Sequence, residues 1–199
     1  MNTHAACLAL GLCIILGLTA CQTSNHASPT SSASTADPAA HNRDHGYALL
    51  YSTLSDDSDV DKVLIIKRPA QPVADLIKSI GEFCRNARDN INNLAKEDPA
   101  ISLANQGLPQ PEVDTRAAIS SDTSKKILFA GGKDLEFRLL LTQHEALNYI
   151  SHTASAIAES EPRENRKRFL SQLSKDAAAL HDRVIELLET PYTGVPKSK

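Results

Sequence analysis

The segment TQHEALNYISH, residues 142–152, contains the residue types that bind metal ions. His144 and His152 are eight positions apart, and Glu145 follows His144 directly. Eight residues of helix are about two turns, so the two imidazoles would share a face about 12 Å apart. They could bind one ion only together with a side chain from another helix. His181 and Glu186 on the last predicted helix, or Glu82 and Asp89 on an earlier one, could supply it. We take His144, Glu145, His152 and His181 as the candidate metal site.

A metal site between helices of one bundle resembles the ferritin-like proteins in outline. Those proteins hold two metal ions with inward carboxylates and Glu-x-x-His motifs. No Glu-x-x-His motif occurs in this sequence. Metal binding is therefore our alternative hypothesis, and we expect no cofactor. In the other interpretation, these histidines are surface or partly buried hydrogen-bonding residues.

The densest basic cluster is RENRKR, which contains Arg163, Arg166, Lys167 and Arg168. It begins a predicted helix, where positive charge is unfavourable against the helix dipole. The cluster is therefore a candidate surface for lipid headgroups or an acidic partner. The alternative is a solvated first turn in which Glu164 balances part of the charge.

Catalytic motifs are missing from the sequence. AGGKDLEF lacks the first glycine and the Ser or Thr of a phosphate-binding loop, and neither His-Glu-x-x-His nor Gly-x-Ser-x-Gly occurs. Ser, His and Asp show no spacing that singles out a catalytic triad. The net charge of −3 gives no general attraction to nucleic acid. We therefore predict a protein that is neither an enzyme nor a nucleic-acid binder.

The first 20 residues contain no Asp, Glu, Lys or Arg, and Ala5 to Leu18 are all apolar or glycine. A helix of this run would be about 21 Å long, shorter than the roughly 30 Å hydrocarbon core of a membrane. That length is typical of a secretory signal peptide.

The run ends in Leu18-Thr19-Ala20-Cys21, which resembles the bacterial lipobox. The resemblance implies cleavage after Ala20, a diacylglycerol on Cys21 and acylation of the new amine. Gln22 after the cysteine implies the outer membrane, with the domain facing the periplasm. Cys7 and Cys13 would leave with the signal peptide, so Cys84 would be the one remaining thiol and could form no disulfide within the chain.

The composition predicts three parts: a signal peptide at 1–20, the lipidated cysteine with a disordered linker at 21–45, and a domain at 46–199. The linker is rich in Ser, Thr, Ala, Asn, Pro and His and has no apolar periodicity. From 46 onward the chain is long enough for one domain with its own core.

Apolar residues recur at a 3–4 spacing in three segments of this domain, 73–95, 135–157 and 169–188, which predicts amphipathic helices. Cys84 lies on the first stripe, which predicts a buried thiol. A weaker segment at 114–130 would be part of the second helix, interrupted or bent at Gly131-Gly132. Pro162 is expected at the first position of the last helix.

Before these segments, Ser55 could cap a short helix whose positive dipole end would suit the acidic residues Asp56, Asp57, Asp59 and Asp61. A strand is possible at 60–67, although a helix is favoured. The sequence thus predicts an all-α antiparallel bundle of about four helices behind a disordered N-terminal tether. We expect a binding or scaffolding module of the cell envelope, attached to the membrane through Cys21, with an envelope protein as its partner.

Overall fold

The computed structural model describes residues 38–104 and 106–189, with side chains from 42 onward. The predicted signal peptide, Cys21 and residues 22–37 of the predicted linker lie outside the described residues. Every regular element within the described ranges is helical, which confirms the all-α class. The elements are α1 Pro38–Asp57, a 3₁₀ turn Val60–Lys62, α2 Val63–Ile66, α3 Gln71–Glu97, α4 Gln110–Phe129, α5 Gly132–Ser160 and α6 Glu164–Glu189.

Helices α1, α3, α5 and α6 form an antiparallel bundle, and the largest helix contact is between α5 and α6. Three residues, 161–163, connect this pair, so the second helix must run back along the first. Ser151 Oγ donates to the carbonyl oxygen of Ser174 at 3.0 Å in the middle of the hairpin. The predicted antiparallel bundle of about four helices is confirmed, and α2 and α4 are additional helices.

The three predicted apolar stripes form most of the core. Helix α3 buries Val73, Leu76, Ile77, Ile80, Cys84, Ala87 and Ile91 along one face. Each large aliphatic side chain removed from water in this way contributes about 1.5–3 kcal/mol. Cys84 is a buried free thiol, as predicted, and burial raises its pKa well above the ordinary range.

Helix α1 supplies the fourth face of the core and begins at Pro38, eight residues before the predicted domain start at 46. Residues 38–45 are therefore helical and not part of a disordered linker. The buried stripe of this helix is short; its described residues are Tyr47, Ala48, Leu50 and Leu54. Gly46 lies against α5, where a Cβ atom would be only 2.8 Å from Ile157 Cγ1, so glycine permits the close approach.

The structure distinguishes between the alternatives that the sequence allowed for residues 60–67 and 114–130. Residues 60–66 are helical and not a strand, and Ser55 lies in the last turn of α1, so it does not cap a following helix. Helix α4 is separate from α5, and Gly132 at the break has a φ of 55°, a conformation that favours glycine. Helix α6 begins at Glu164, two residues after Pro162.

Helix α4 lies outside the bundle. All of its side chains are exposed except Thr123 and Ile127, which are half-buried. It contacts α5 only sparsely, so a space remains between α4 and the bundle. Within the described ranges, no helix has the length and apolar character needed to cross a membrane.

Candidate functional site, an acidic groove beneath helix α4

A groove of about 730 Å³ separates α4 from the bundle. Its walls come from the end of α1, the 3₁₀ turn, the start of α2, α4 and the middle of α5. The volume is within the range of about 300–1,000 Å³ that is typical of ligand sites. We refer to this space as the acidic groove.

The lining of the acidic groove combines negative charge with apolar walls. Its described acidic residues are Asp56, Asp57, Asp59, Glu112 and Glu145. Apolar contacts come from Val60, Val63, Ile119, Ile127, Leu128, Leu139 and Ala146. Among the described lining residues, Arg116 is the one basic side chain. Its guanidinium binds Glu112 at 2.8 Å and lies over the Tyr149 ring, 5.6 Å from the centroid, so it does not neutralise the other carboxylates.

Asp57 and Gln143 form the polar floor of the groove. Gln143 is 1% exposed, and its Nε2 donates to Asp57 Oδ1 at 3.1 Å. Gln143 Oε1 is buried and accepts no hydrogen bond from a described residue. An unpaired buried polar atom lowers the stability of a fold by about 1–3 kcal/mol. The groove floor therefore contains an acceptor that no described residue uses.

Asp57 is partly buried and forms no ion pair with a described residue. Burial raises the pKa of Asp57 to about 6; the hydrogen bond from Gln143 opposes this shift, and the neighbouring charge of Asp56 adds to it. At neutral pH the carboxylate is therefore mainly ionised at a position where its charge is poorly solvated. A positively charged N–H donor that entered the groove would relieve that cost.

Two of the four predicted metal-site residues are in contact. The rings of His144 and His181 stack with centroids 4.5 Å apart and an angle of 28° between the planes. His144 Nδ1 and His181 Nε2 are buried without a described hydrogen-bond partner. Burial, followed by the charges of His144 and His152, lowers the pKa of His181, while Asp182 opposes the shift.

The other two predicted metal-site residues point elsewhere. Glu145 lines the acidic groove, and His152 is exposed. Within residues 38–104 and 106–189, no group of three or more His, Cys, Asp or Glu side chains is arranged to hold a metal ion. Metal binding by these histidines stays a prediction.

The basic cluster at the start of α6 is divided between the interior and the surface. Arg166 is buried, and its Nη1 lies 3.0 Å from Asp98 Oδ2 at the end of α3. Arg163 Nη2 lies 2.9 Å from the same oxygen. These two arginines therefore connect the start of α6 to the end of α3. The other two residues predicted to bind a partner, Lys167 and Arg168, are exposed and take no part in these contacts.

Sequence reasoning missed the acidic groove because it placed Asp56 and Asp57 at the start of a helix. They lie at the C-terminal end of α1, where the helix dipole disfavours negative charge. Gln143 did leave a signal: it occupies a position on the buried stripe of α5 that otherwise contains Leu139, Leu147 and Ile150. A polar residue on such a stripe needs a partner from another helix.

Comparison of this chain with protein-family models, with curated proteins and with solved structures gives no match. The assignment of a function therefore depends on the residues of the chain itself.

Proposed function

We propose that this protein is a lipid-anchored, non-enzymatic binding module of the bacterial cell envelope. Cys21 holds it in the outer membrane, and the helical bundle faces the periplasm and binds a basic segment of an envelope protein. The resemblance of Leu18-Thr19-Ala20-Cys21 to the lipobox supports the anchor. The observation that carries the binding role is the uncompensated Asp57 carboxylate beside the unpaired Gln143 oxygen.

The shape of the site favours an extended chain over a compact ligand. A second cleft of about 470 Å³ shares Thr53, Asp56, Arg116 and Ser120 with the acidic groove and continues along α1 and α4. Lysine matches the chemistry of the site, because its apolar stem can contact Val60 and Leu139 while its ammonium donates hydrogen bonds. A basic peptide segment with apolar neighbours is therefore the ligand class that fits both walls and floor.

The binding role is tested by site-specific photocrosslinking in cells. A photoreactive residue at Ser120, in the acidic groove, should crosslink an envelope protein through a Lys- or Arg-containing segment. The same residue at Ala178, exposed on α6, is the control and should give no such product. Asp57→Asn keeps the shape and removes the charge, so it should abolish the Ser120 crosslink. An unchanged crosslink in Asp57→Asn would contradict the proposed role of the groove.

The anchor is tested separately with Cys21→Ser in cells given a radiolabelled fatty acid. We expect the parent protein to take up the label and fractionate with the outer membrane, and the variant to do neither. Label retained by Cys21→Ser would contradict lipidation at this position.

The His144–His181 contact favours metal binding as a second candidate function, because two ring nitrogens there have no described partner. Neutral imidazole nitrogen is a common ligand of Zn²⁺ and related ions. If this candidate holds, the purified protein contains near-stoichiometric metal that is lost in the His144→Ala, His181→Ala variant. Metal-free protein with no change in melting temperature on adding Zn²⁺, Fe²⁺ or Mn²⁺ would contradict it.

A further inference from the structure

Large apolar side chains are exposed at the place where α2 and α4 both end. Ile65 is 82% exposed, Ile66 63% and Phe129 85%, and Leu128 is also exposed. Single exposed apolar residues are common on protein surfaces, but a cluster of large ones marks an interaction site. These four residues are called the apolar tip below.

Hydrogen bonds between the two chain segments show that the apolar tip is one region. Lys67 Nζ donates to the carbonyl oxygen of Ala130 at 2.7 Å. The backbone N–H of Ala70 donates to Glu136 Oε1 at 2.8 Å. The residues directly before Lys67 and directly before Ala130 therefore lie at the same end of the molecule.

Basic residues outnumber acidic ones in the two segments that form the apolar tip, even though Lys126, Lys133 and Arg138 each form an ion pair with an acidic neighbour. Within 65–68 and 122–138 there are six basic residues and three acidic ones, although the whole chain has a net charge of −3. The basic residues are Lys67, Arg68, Lys125, Lys126, Lys133 and Arg138. A shallow cleft of about 320 Å³ beside Phe129 is lined by Lys125, Lys126 and Arg138, together with Asp134.

Apolar side chains within a rim of lysine and arginine are typical of proteins that bind the surface of a membrane. The apolar groups enter the boundary between headgroups and acyl chains, and the cations contact lipid phosphates. We propose that the apolar tip docks on an anionic phospholipid surface, with Phe129, Ile65 and Ile66 inserted. This contact goes beyond the anchor at Cys21 and uses residues outside the polar floor of the acidic groove.

The positive rim is the reason to choose a lipid surface as the occupant. An apolar protein partner would not require cations, whereas anionic headgroups attract every lysine and arginine that lies near the membrane surface. The acyl chains on Cys21 would already hold the chain at the membrane, so contact at the tip would fix the orientation of the domain and not provide the anchoring.

The chain contains no tryptophan, so one introduced tryptophan can report the position of the tip. The full chain with Phe129→Trp is added to vesicles whose acyl chains are brominated, either with phosphatidylglycerol or with phosphatidylcholine alone. The matched control is Ala100→Trp, at an exposed position in the loop after α3. We expect the fluorescence of the Phe129→Trp protein to fall at least twofold and shift to the blue in the anionic vesicles only, and the control to change little. Equal quenching of both reporters, or none at position 129, would overturn the proposal.

Charge and apolarity are then removed separately in the Phe129→Trp protein, with circular dichroism to verify folding. Lys125→Glu with Lys126→Glu, and Ile65→Ser with Ile66→Ser, should each weaken tip contact about tenfold. Lys78→Glu with Lys175→Glu, at exposed positions on α3 and α6, is the matched control and should have no effect. Quenching that survives both tip variants would overturn the proposal, because lipid contact would then depend on neither the apolar side chains nor the basic ones.

Vesicle flotation and quenching of the Phe129→Trp protein, each with and without Cys21→Ser, separate the tip contact from the anchor. If flotation is lost in Cys21→Ser while quenching at position 129 remains, the lipid at Cys21 is needed for flotation and the tip still docks. A chain that floats without quenching at position 129 shows that the tip does not dock, whatever holds the chain.

Discussion

Two carboxylates that the fold withdraws from water, Glu161 and Asp57, have opposite surroundings. Glu161, after the end of α5, accepts hydrogen bonds from Tyr47 Oη at 2.8 Å and from the Arg163 N–H at 3.1 Å, and Arg43 Nε lies at 3.9 Å. Asp57 receives one hydrogen bond, from the Gln143 amide, and no described cation. The first carboxylate has its partners within the bundle, and the second lacks a donor that a ligand can supply.

The surroundings of Tyr47 support this distinction. Burial raises the pKa of Tyr47 far above its ordinary value, and the hydrogen bond to Glu161 raises it further. The phenol therefore remains a donor at every physiological pH. The Glu161 contact joins α1 to the turn between α5 and α6, which makes it a structural contact.

Removing the Glu161 carboxylate should change the stability of the protein most. Glu161→Ala would leave the Tyr47 hydroxyl without its acceptor and remove the charge opposite Arg43. We expect the free energy of unfolding to fall by about 3 kcal/mol, the scale of breaking a buried polar contact. Urea unfolding measures this change, and the exposed neighbour variant Glu159→Ala should change stability by less than about 0.5 kcal/mol. A similarly small change in Glu161→Ala would contradict the structural role.

Removing the Asp57 carboxylate should stabilise the protein, in contrast to removing that of Glu161. The pKa of Asp57 is about 6 in the folded protein, against an ordinary value of 3.8, so the folded state binds the proton more tightly. Its contribution is therefore favourable at low pH and is lost as pH rises through 6. Asp57→Asn should raise the free energy of unfolding at pH 7 by about 1–3 kcal/mol and flatten its decline between pH 4 and 6.

Urea unfolding of Asp57→Asn at pH 4 and pH 7 measures both effects. Glu82→Gln, a charge removal at an exposed position of α3, is the matched control. Destabilisation at pH 7 would mean that Asp57 is satisfied within the bundle, and the difference between the two carboxylates would disappear.

The histidine pair on α5 and α6 should have the smallest influence on stability. The pKa of His181 is lowered, so the unfolded chain binds a proton more readily, and stability is lost as pH falls below the ordinary value of 6.5. His181→Phe keeps a ring against His144 and removes the titration, so it should reduce the loss of stability between pH 7 and 5. Thermal melts at both pH values measure it, with Asn148→Ala, at an exposed position of α5, as the control. An unchanged pH dependence in His181→Phe would contradict burial as the cause.

The strong helices could be predicted because their periodicity is local. The stripe from Val73 to Ile91 has one interpretation, and the structure confirms it. Helix α1 was missed because its buried stripe is short and follows a stretch of polar linker composition. Helix α4 has no buried residue among its described side chains, so no periodicity marked its limits.

The acidic groove could not be predicted, because its parts meet only through tertiary packing. Asp57 and Gln143 are 86 positions apart in the chain, and no motif connects them. The contact of His144 with His181 could be predicted in part, because both histidines were candidates for one shared site between helices. Which of the four predicted residues would meet depended on the register of α5 against α6.

A carbon-13 NMR titration of the Asp57 carboxyl group tests directly whether the acidic groove binds a cation. It would be recorded with a peptide of alternating lysine and leucine, and with the matched glutamine–leucine peptide. We expect a pKa near 6 in the free protein, lowered toward 4 by the lysine peptide and unchanged by the glutamine peptide. A pKa that both peptides leave unchanged would show that the acidic groove does not receive a cation, and would contradict the proposed function.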